Sequence, residues 1–480
     1  MKLILFGFDG LRPDCVTMES MPRLFAFLNE NASCTNNRAV FPTETYVNHP
    51  SIFTGFLPDR HGLIANAYFD TAVSRQDFFV GSRIDRIESA EKQTRGHLFK
   101  VPSLSETMVK KGYSFLSISS NSPGSTRLIA HKAGSIGGIN LSVRGLEHAY
   151  PKILREKYRA SLDGMTWDTP DLNGLKKINE IVHDIFRNEG IPDVNIIWYG
   201  EPDHSFHEHG IGSKQSLLAL KTADTCFGEI LDEYWKNDVQ IIVASDHGHI
   251  TVKKHFDLVE ALENSGFRHG ETLSDPLADF TLLWGYSGNI YVHKPGLLPD
   301  IISALQQMPE IGMLFTQDRD GVNGIIPGTF SSRLVGGDHH RAGDIRFVLR
   351  HFNEKDDNGY EGTCICAAPI SIGCGIHGGL HPSEIHTVLG FGGTAFKQNS
   401  PIASLTGVID ITPTIYKLFG INPSVLPQGR ILSEVFRNKT LAPVTVEKRN
   451  YTCGTGAYRQ MLELDYVNAI PYFTRGEGPV

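Results

Sequence analysis

Several acidic residues and histidines fall at spacings that suit a divalent cation. Asp203 and His207 stand four apart in Glu201-Pro202-Asp203-His204-Ser205-Phe206-His207, which puts both side chains on one side of a helical turn. Asp246 and His247 are adjacent in Ser245-Asp246-His247-Gly248, directly after an Ile-Ile-Val run. Neighbouring residues can serve one ion where the backbone turns sharply, and Gly248 permits that turn. Asp9 follows another apolar run, Leu3 to Phe8. Carboxylates and imidazoles drawn from several strands are what a pair of zinc ions needs, with a bridging position for a nucleophile and a phosphate oxygen. Each feature alone has a plainer reading: an Asp after a strand is ordinarily a solvated turn residue or helix cap, and Thr43 and Thr45 could be a cap and a buried hydroxyl.

Those side chains must be brought together by the elements between them. Short apolar runs bounded by turn residues recur along the chain, several followed by amphipathic stretches, which is the pattern of a mostly parallel sheet flanked by helices. Leu3 to Phe8, Tyr113 to Ser119, Val194 to Tyr199 and Val239 to Ala244 read as strands. Met21 to Asn29, Leu104 to Lys111 and Leu217 to Trp235 read as helices. Ligands of open parallel sheets bind at the carboxyl ends of the strands. Asp9, Asp203 and Asp246-His247 each follow a strand, so they are expected on one rim. The stretch from about Ser125 to Asn173 shows no clear period. Residues 255–330 are irregular but hold strand-like runs at Phe280 to Trp284 and Asn289 to Val292, and read as a smaller lobe near the site. A catalytic domain is expected over residues 1–440, with 441–480 as a C-terminal extension of little periodicity that wraps the surface.

At 480 residues the chain exceeds the roughly 250 to 300 at which a single core stops growing, hence a large domain with a second lobe. With 40% hydrophobic and 20% charged residues, disorder and fibrous classes are excluded. The formal net charge of -8 argues against binding of nucleic-acid polymers, which requires a basic face. No stretch reaches the roughly 18 uninterrupted apolar residues of a membrane span, and no long apolar run follows a basic start. The seven cysteines lack zinc-finger spacing, and Cys364 and Cys366 are too close within one strand to pair easily. Reduced thiols and a cytoplasmic location are the expectation.

Taken together and in order, Phe8-Asp9-Gly10, Pro42-Thr43-Glu44-Thr45-Tyr46-Val47-Asn48-His49, Thr54-Gly55, Pro58, His61-Gly62, Glu201-Pro202-Asp203, Ser245-Asp246-His247-Gly248 and Gly375-Ile376-His377-Gly378 span most of the chain. Asp410-Ile411-Thr412-Pro413-Thr414 and Gly429-Arg430 extend the set. The set resembles the nucleotide pyrophosphatase/phosphodiesterase branch of the alkaline phosphatase superfamily. The resemblance implies an alkaline-phosphatase-like α/β fold, with a mostly parallel central sheet flanked by helices and a smaller inserted lobe. It implies two divalent ions, with zinc expected, one held by Asp203, His207 and His377 and the other by Asp9, Asp246 and His247. Thr45 would be the nucleophile, its alkoxide on the second ion, passing through a phosphothreonine intermediate with net retention at phosphorus. Asn66, 21 residues after Thr45, would donate to a non-bridging phosphate oxygen. A neutral donor there suits a singly charged diester better than a monoester. Tyr46 and Trp198 match aromatic positions that clamp a nucleotide base.

Val47 stands where the family usually has proline, and Gly200 replaces an acidic or bulkier residue. His381 rivals His377 as a ligand, although glycines on both sides favour His377. His49, His61, His204 and His209 read as structural or outer groups rather than ligands. The run Asp338-His339-His340-Arg341 up to Asp344 could hold a third metal, but reads better as a polar turn. The leading expectation is a hydrolase of phosphodiester or phosphoanhydride bonds in small nucleotide-like substrates. Phosphonoacetate hydrolysis, phosphomonoester hydrolysis and a non-catalytic metal-binding module are the alternatives. No Cys or Ser nucleophile with following Pro and Arg marks a sulfatase.

Overall fold

The N-terminal run KLILFGF forms strand β1 (Lys2–Phe8) in the middle of an eight-stranded sheet. A computed structural model describes residues 1–236, 238–283, 285–438 and 444–479. The other strands of the sheet are β2 (Ala32–Cys34), β3 (Phe115–Ser119), β4 (Ile139–Ser142), β5 (Val194–Tyr199), β6 (Val239–Ser245), β7 (Leu389–Gly392) and β8 (Ser400–Ile402). Their spatial order is β8-β2-β7-β6-β1-β5-β3-β4. All pairings are parallel except those of β7, which runs antiparallel to β6 and β2. The stretch without a clear period thus supplies the edge strand β4.

Strands β5 and β6 are buried throughout, as strands covered on both faces must be. Alternate residues feed two cores. Leu3, Leu5, Ile196, Trp198, Ile242 and Ala244 face one side, and Ile4, Phe6, Phe8, Ile197, Tyr199, Ile241 and Val243 the other. Helices α1 (Pro22–Glu30), α2 (Thr45–Thr54), α3 (Leu172–Asn188), α4 (Asp203–His209), α5 (Lys214–Tyr234) and α6 (Ile411–Leu418) flank the sheet. In α3, Leu175, Ile178, Val182 and Ile185 recur at helical spacing and pack into the second core, while Val47, Ile52 and Phe53 of α2 enter the first. The Ser213 hydroxyl caps α5 by accepting from the Ser216 amide. Among the described residues no helix is long and apolar enough to cross a membrane, and all seven cysteines are free thiols.

Two boundary expectations are corrected. The smaller sheet runs Phe280–Leu283, Ser287–Val292, Ile345–Leu349, Ile311–Thr316 and Phe330–Ser331 in space, so its middle strand lies beyond residue 330. Phe280, Ile290, Leu314 and Phe347 join the first core, so this lobe shares that core rather than forming its own. Trp284, at the end of the run expected as a strand, lies outside the described residues. The C-terminal segment is a three-stranded antiparallel sheet of Glu447–Thr455, Tyr458–Val467 and Ile470–Glu477. Tyr458, Leu462, Leu464 and Phe473 fill the first core, and the buried Gln460 amide bonds both Leu314 N–H and Leu314 C=O. Its period of two is diluted by polar residues on the outer face, so it escapes a search for apolar runs. Residues 440–443, where the extension was expected to begin, include Thr440 and lie outside the described residues.

Candidate functional site

The register of β1 places Phe8 opposite both Tyr199 of β5 and Ser245 of β6. The chain that leaves each strand therefore emerges at one rim, carrying Asp9, the Glu201-Pro202-Asp203 turn and Asp246-His247. Gly10, with φ of 68°, bends the backbone after Asp9, and its amide donates to Asp246 Oδ1 at 3.0 Å. Thr45 opens α2 beside them, its Oγ1 3.0 Å from His247 Nε2.

The Asp9 and Asp246 carboxylates each have one oxygen held by the protein and one left bare. Asp9 Oδ2 accepts from Asn121 Nδ2 at 2.5 Å and Trp198 Nε1 at 3.2 Å, whereas the buried Oδ1 has no hydrogen-bond partner. Asp246 Oδ1 accepts from the amides of Gly10 and His247, whereas the buried Oδ2 has none. The two bare oxygens lie 3.6 Å and 3.4 Å from His247 Nε2. Burial, then the charges of Asp246 and Asp203, push Asp9 up to about 6. This is the cost of crowding acids without a counter-charge.

Three imidazoles are tethered by Nδ1 to carbonyl oxygens: His207 to Gly375 O at 2.8 Å, His247 to Gly248 O at 3.1 Å and His377 to Thr43 O at 2.7 Å. A carbonyl can only accept, so each Nδ1 carries the hydrogen and each Nε2 is a bare lone pair. His207 Nε2 and His377 Nε2 face Asp203 Oδ1 at 3.4 Å and 3.5 Å. Lone pairs facing a carboxylate repel unless a cation lies between. Donors bound at about 2.1 Å to one tetrahedral ion stand about 3.4 Å apart. The donor set, its spacing and the orphaned oxygens fit divalent-cation binding, and Asp203, His207 and His377 on one side and Asp9, Asp246 and His247 on the other could each hold an ion. Burial would raise Asp203, but His207 and His249 beside it hold it well below the usual carboxylate range. Burial, then His247 and His249, drive His377 well below the usual imidazole range, so it is neutral.

Asn66 Oδ1 accepts from the Tyr46 amide at 2.9 Å, and its backbone N–H donates to Glu44 Oε2. Among the described residues its Nδ2 makes no hydrogen bond, which leaves a donor beside the Thr45 hydroxyl end of α2. Burial first, against the bond from Asn66, pushes the Glu44 carboxyl up to about 7. Tyr46 is half-buried, its ring seated on Gly81, where a Cβ would fall 2.2 Å from Tyr46 Cγ.

Trp198 corrects an expectation. It is fully buried, packs edge-on to His49 and Phe53, and spends its indole N–H on Asp9. A side chain on the core face of β5 has no surface to offer a base, so it orients Asp9 instead. His381 is not at the metal cluster: its Nδ1 caps the helix Pro382–Ile385 by accepting from Ser383 N, and its Nε2 meets Asn353. His339 and His340 do not form a third site. Their neighbour Arg341 is fully buried and pins the loop through Asp70 Oδ2 and the Gly62 and Leu98 carbonyls. His204 and His209 bond Arg144 and Thr169 O, and His61 bonds Ser51. His49 Nε2 lies 3.2 Å from Asp246 Oδ2 and 3.5 Å from Asp9 Oδ2 without a hydrogen-bonding alignment. Sequence reasoning missed His249, whose Nε2 reaches Asp203 Oδ1 at 3.0 Å and which stands among the clustered metal-binding atoms. Its position two residues after His247 was the available signal.

The family described as type I phosphodiesterase / nucleotide pyrophosphatase matches residues 3–348, a span that includes Asp9, Thr45, Asn66, Asp203, His207, Asp246 and His247. Bis(5'-adenosyl)-triphosphatase ENPP4 of Homo sapiens is 26% identical over 255 residues, covering 52% of this chain and 47% of that protein. Venom phosphodiesterase of Naja atra is 26% identical over 254 residues, covering 51% of this chain and 26% of that protein. The chain thus matches about half the length or less of these curated relatives. Among solved structures, murine ectonucleotide pyrophosphatase / phosphodiesterase 5 has a TM-score of 0.63 at 16% identity, over 91% of this chain and 100% of that one. An inactive form of the same murine protein in complex with AMP has a TM-score of 0.62 at 17% identity over the same shares. These likenesses agree on the fold, and the family match runs through the strands that carry the rim. The chain belongs to the type I phosphodiesterase / nucleotide pyrophosphatase family, a branch of the alkaline phosphatase superfamily.

Proposed function

We propose that this chain hydrolyses phosphodiester or phosphoanhydride bonds of small nucleotide-like substrates, with Thr45 as nucleophile between two divalent cations, zinc being the expected metal. The observation that carries the proposal is the set of Nε2 and carboxylate oxygen atoms at ligand-to-ligand spacing, with Thr45 Oγ1 3.0 Å from one of them, His247 Nε2. Asp203, His207 and His377 would hold one ion and Asp9, Asp246 and His247 the other. Bound cations supply charge neutralisation and a lowered hydroxyl pKa, which a threonine needs to act near neutral pH.

The protein's own groups set the rest. Thr45 opens α2 at the rim, and its Oγ1 lies 3.0 Å from His247 Nε2, the spacing of two ligands of one ion. Asn66, fixed by its bond from the Tyr46 amide, offers Nδ2 to a phosphate oxygen as charge develops there. Attack by Thr45 Oγ1 on phosphorus would form a phosphothreonine and expel the first alcohol or phosphate. Water would then cleave the P–O bond to threonine, and two in-line displacements retain configuration. Tyr46 is the remaining aromatic candidate to stack on a base, worth about 1 to 3 kcal/mol. A nucleotide substrate is favoured by the relative named as a bis(5'-adenosyl)-triphosphatase and by the structural neighbour described in complex with AMP.

The test is hydrolysis of bis-p-nitrophenyl phosphate, p-nitrophenyl phosphate, a dinucleoside polyphosphate and phosphonoacetate, each with and without a chelator. The expected profile is led by the diester or dinucleotide, and is lost on chelation and on Thr45→Ala. Preference for phosphonoacetate would overturn the substrate assignment. No turnover by zinc-loaded protein on any of the four would favour a binding module.

A further inference from the structure

His249 is the fourth imidazole at the cluster, and its bonding differs from that of the other three. Its Nδ1 is buried and has no hydrogen-bond partner, whereas His207, His247 and His377 each spend Nδ1 on a backbone carbonyl. An orphaned buried N–H costs more than an orphaned lone pair, so the hydrogen of neutral His249 belongs on Nε2. That atom lies 3.0 Å from Asp203 Oδ1, a hydrogen-bond distance. The Nε2 atoms of His207 and His377 stand off the same oxygen at 3.4 Å and 3.5 Å, the spacing of two ligands across one ion. The ring has no freedom to choose otherwise. It is fully buried, its edge lies against Phe206, and a Cβ on Gly10 would fall 2.5 Å from Nε2 and one on Gly375 3.0 Å from Nδ1.

We propose that His249 is a positioning residue and not a metal ligand: it donates Nε2–H to Asp203 Oδ1 and so turns that oxygen's remaining lone pair toward the cation position between His207 and His377. The inference rests on the two-cation reading above. A carboxylate oxygen has two lone pairs, and taking one fixes the direction of the other. Such outer hydrogen bonds raise metal affinity by roughly 10- to 100-fold.

The test compares wild type, His249→Leu and His249→Gln. Leucine fills the space without a donor, and glutamine retains one. Stripped protein is titrated with zinc against a chromogenic chelator, and the cobalt-loaded forms are compared by visible absorption. Thermal melting of the metal-free variants checks that they fold. The expected result is roughly 10- to 100-fold weaker binding of one of two zinc ions in His249→Leu, substantial recovery in His249→Gln, and unchanged cobalt band positions in both. Unchanged zinc affinity in His249→Leu, with wild type binding two ions, would overturn the inference alone. Cobalt bands displaced in both variants would also overturn it, by making His249 a ligand. Wild-type protein that takes up no ion would overturn the two-cation reading and this inference with it.

Discussion

His247 Nε2 lies 3.0 Å from Thr45 Oγ1 and, on its other sides, 3.4 Å and 3.6 Å from the bare oxygens of Asp246 and Asp9. One nitrogen therefore touches the proposed nucleophile and both acids. Thr45→Ala is expected to reduce kcat/KM on a chromogenic diester by roughly a thousandfold or more, with zinc still bound. Thr45→Ser should keep part of the activity, because it retains a hydroxyl. Steady-state rates with metal analysis check both, and an active Thr45→Ala protein would refute the nucleophile assignment.

Asn66→Ala removes the Nδ2 donor and also the acceptor for the Tyr46 amide. The expected loss is about 10²- to 10³-fold in kcat with a smaller change in KM, because the bond strengthens as the phosphate oxygens gain charge. Losing the helix-end acceptor costs about 1 kcal/mol more in stability, visible in denaturant unfolding. A change confined to KM would show that Asn66 only binds ground-state substrate.

Trp198→Phe should act through the core and Asp9 rather than through a base. Loss of the indole leaves a cavity beside Phe53 and His49 and takes one donor from Asp9 Oδ2, an expected cost of about 1 to 3 kcal/mol. Activity should fall by the same factor on nucleotide and non-nucleotide diesters. A loss specific to nucleotides would restore Trp198 as a clamp.

Asp410 is expected to make the stability of the fold depend on pH. Burial, against Arg430 and the bonds from the Arg430 and Gly407 amides and the Tyr472 hydroxyl, pushes its carboxyl up to about 6. Its pKa is higher folded than unfolded, so the folded state holds more protons between about pH 4 and 6. Its contribution to stability is therefore present at the acid end and lost as pH rises through that window, by on the order of 3 kcal/mol. The unfolding free energy of wild type minus that of Asp410→Asn should decline accordingly from pH 4 to 6. A flat difference would refute the shift.

The amino-acid sequence by itself determined the family, the strands that carry the rim, and the proposed ligand set apart from the choice between His377 and His381. Asp9, Asp203 and Asp246 each follow a strand whose register is fixed by apolar runs buried on both faces. Local pattern carries that information because β1, β5 and β6 are continuous and their ends align without side-chain detail. Tertiary structure alone decided which of His377 and His381 faces the cluster. The two are only four residues apart, and what separates them is a carbonyl of Thr43 for one and Asn353 for the other. It also decided that Trp198 is core, since side-chain direction on β5 becomes meaningful only once α2 packs against it, and that the C-terminal strands bury half of each turn of their alternation against the smaller sheet. His249 came from structure for the same reason. A histidine's role depends on what each ring nitrogen meets, and those partners, Asp203 at one nitrogen and none at the other, lie 46 residues away or nowhere in the local sequence.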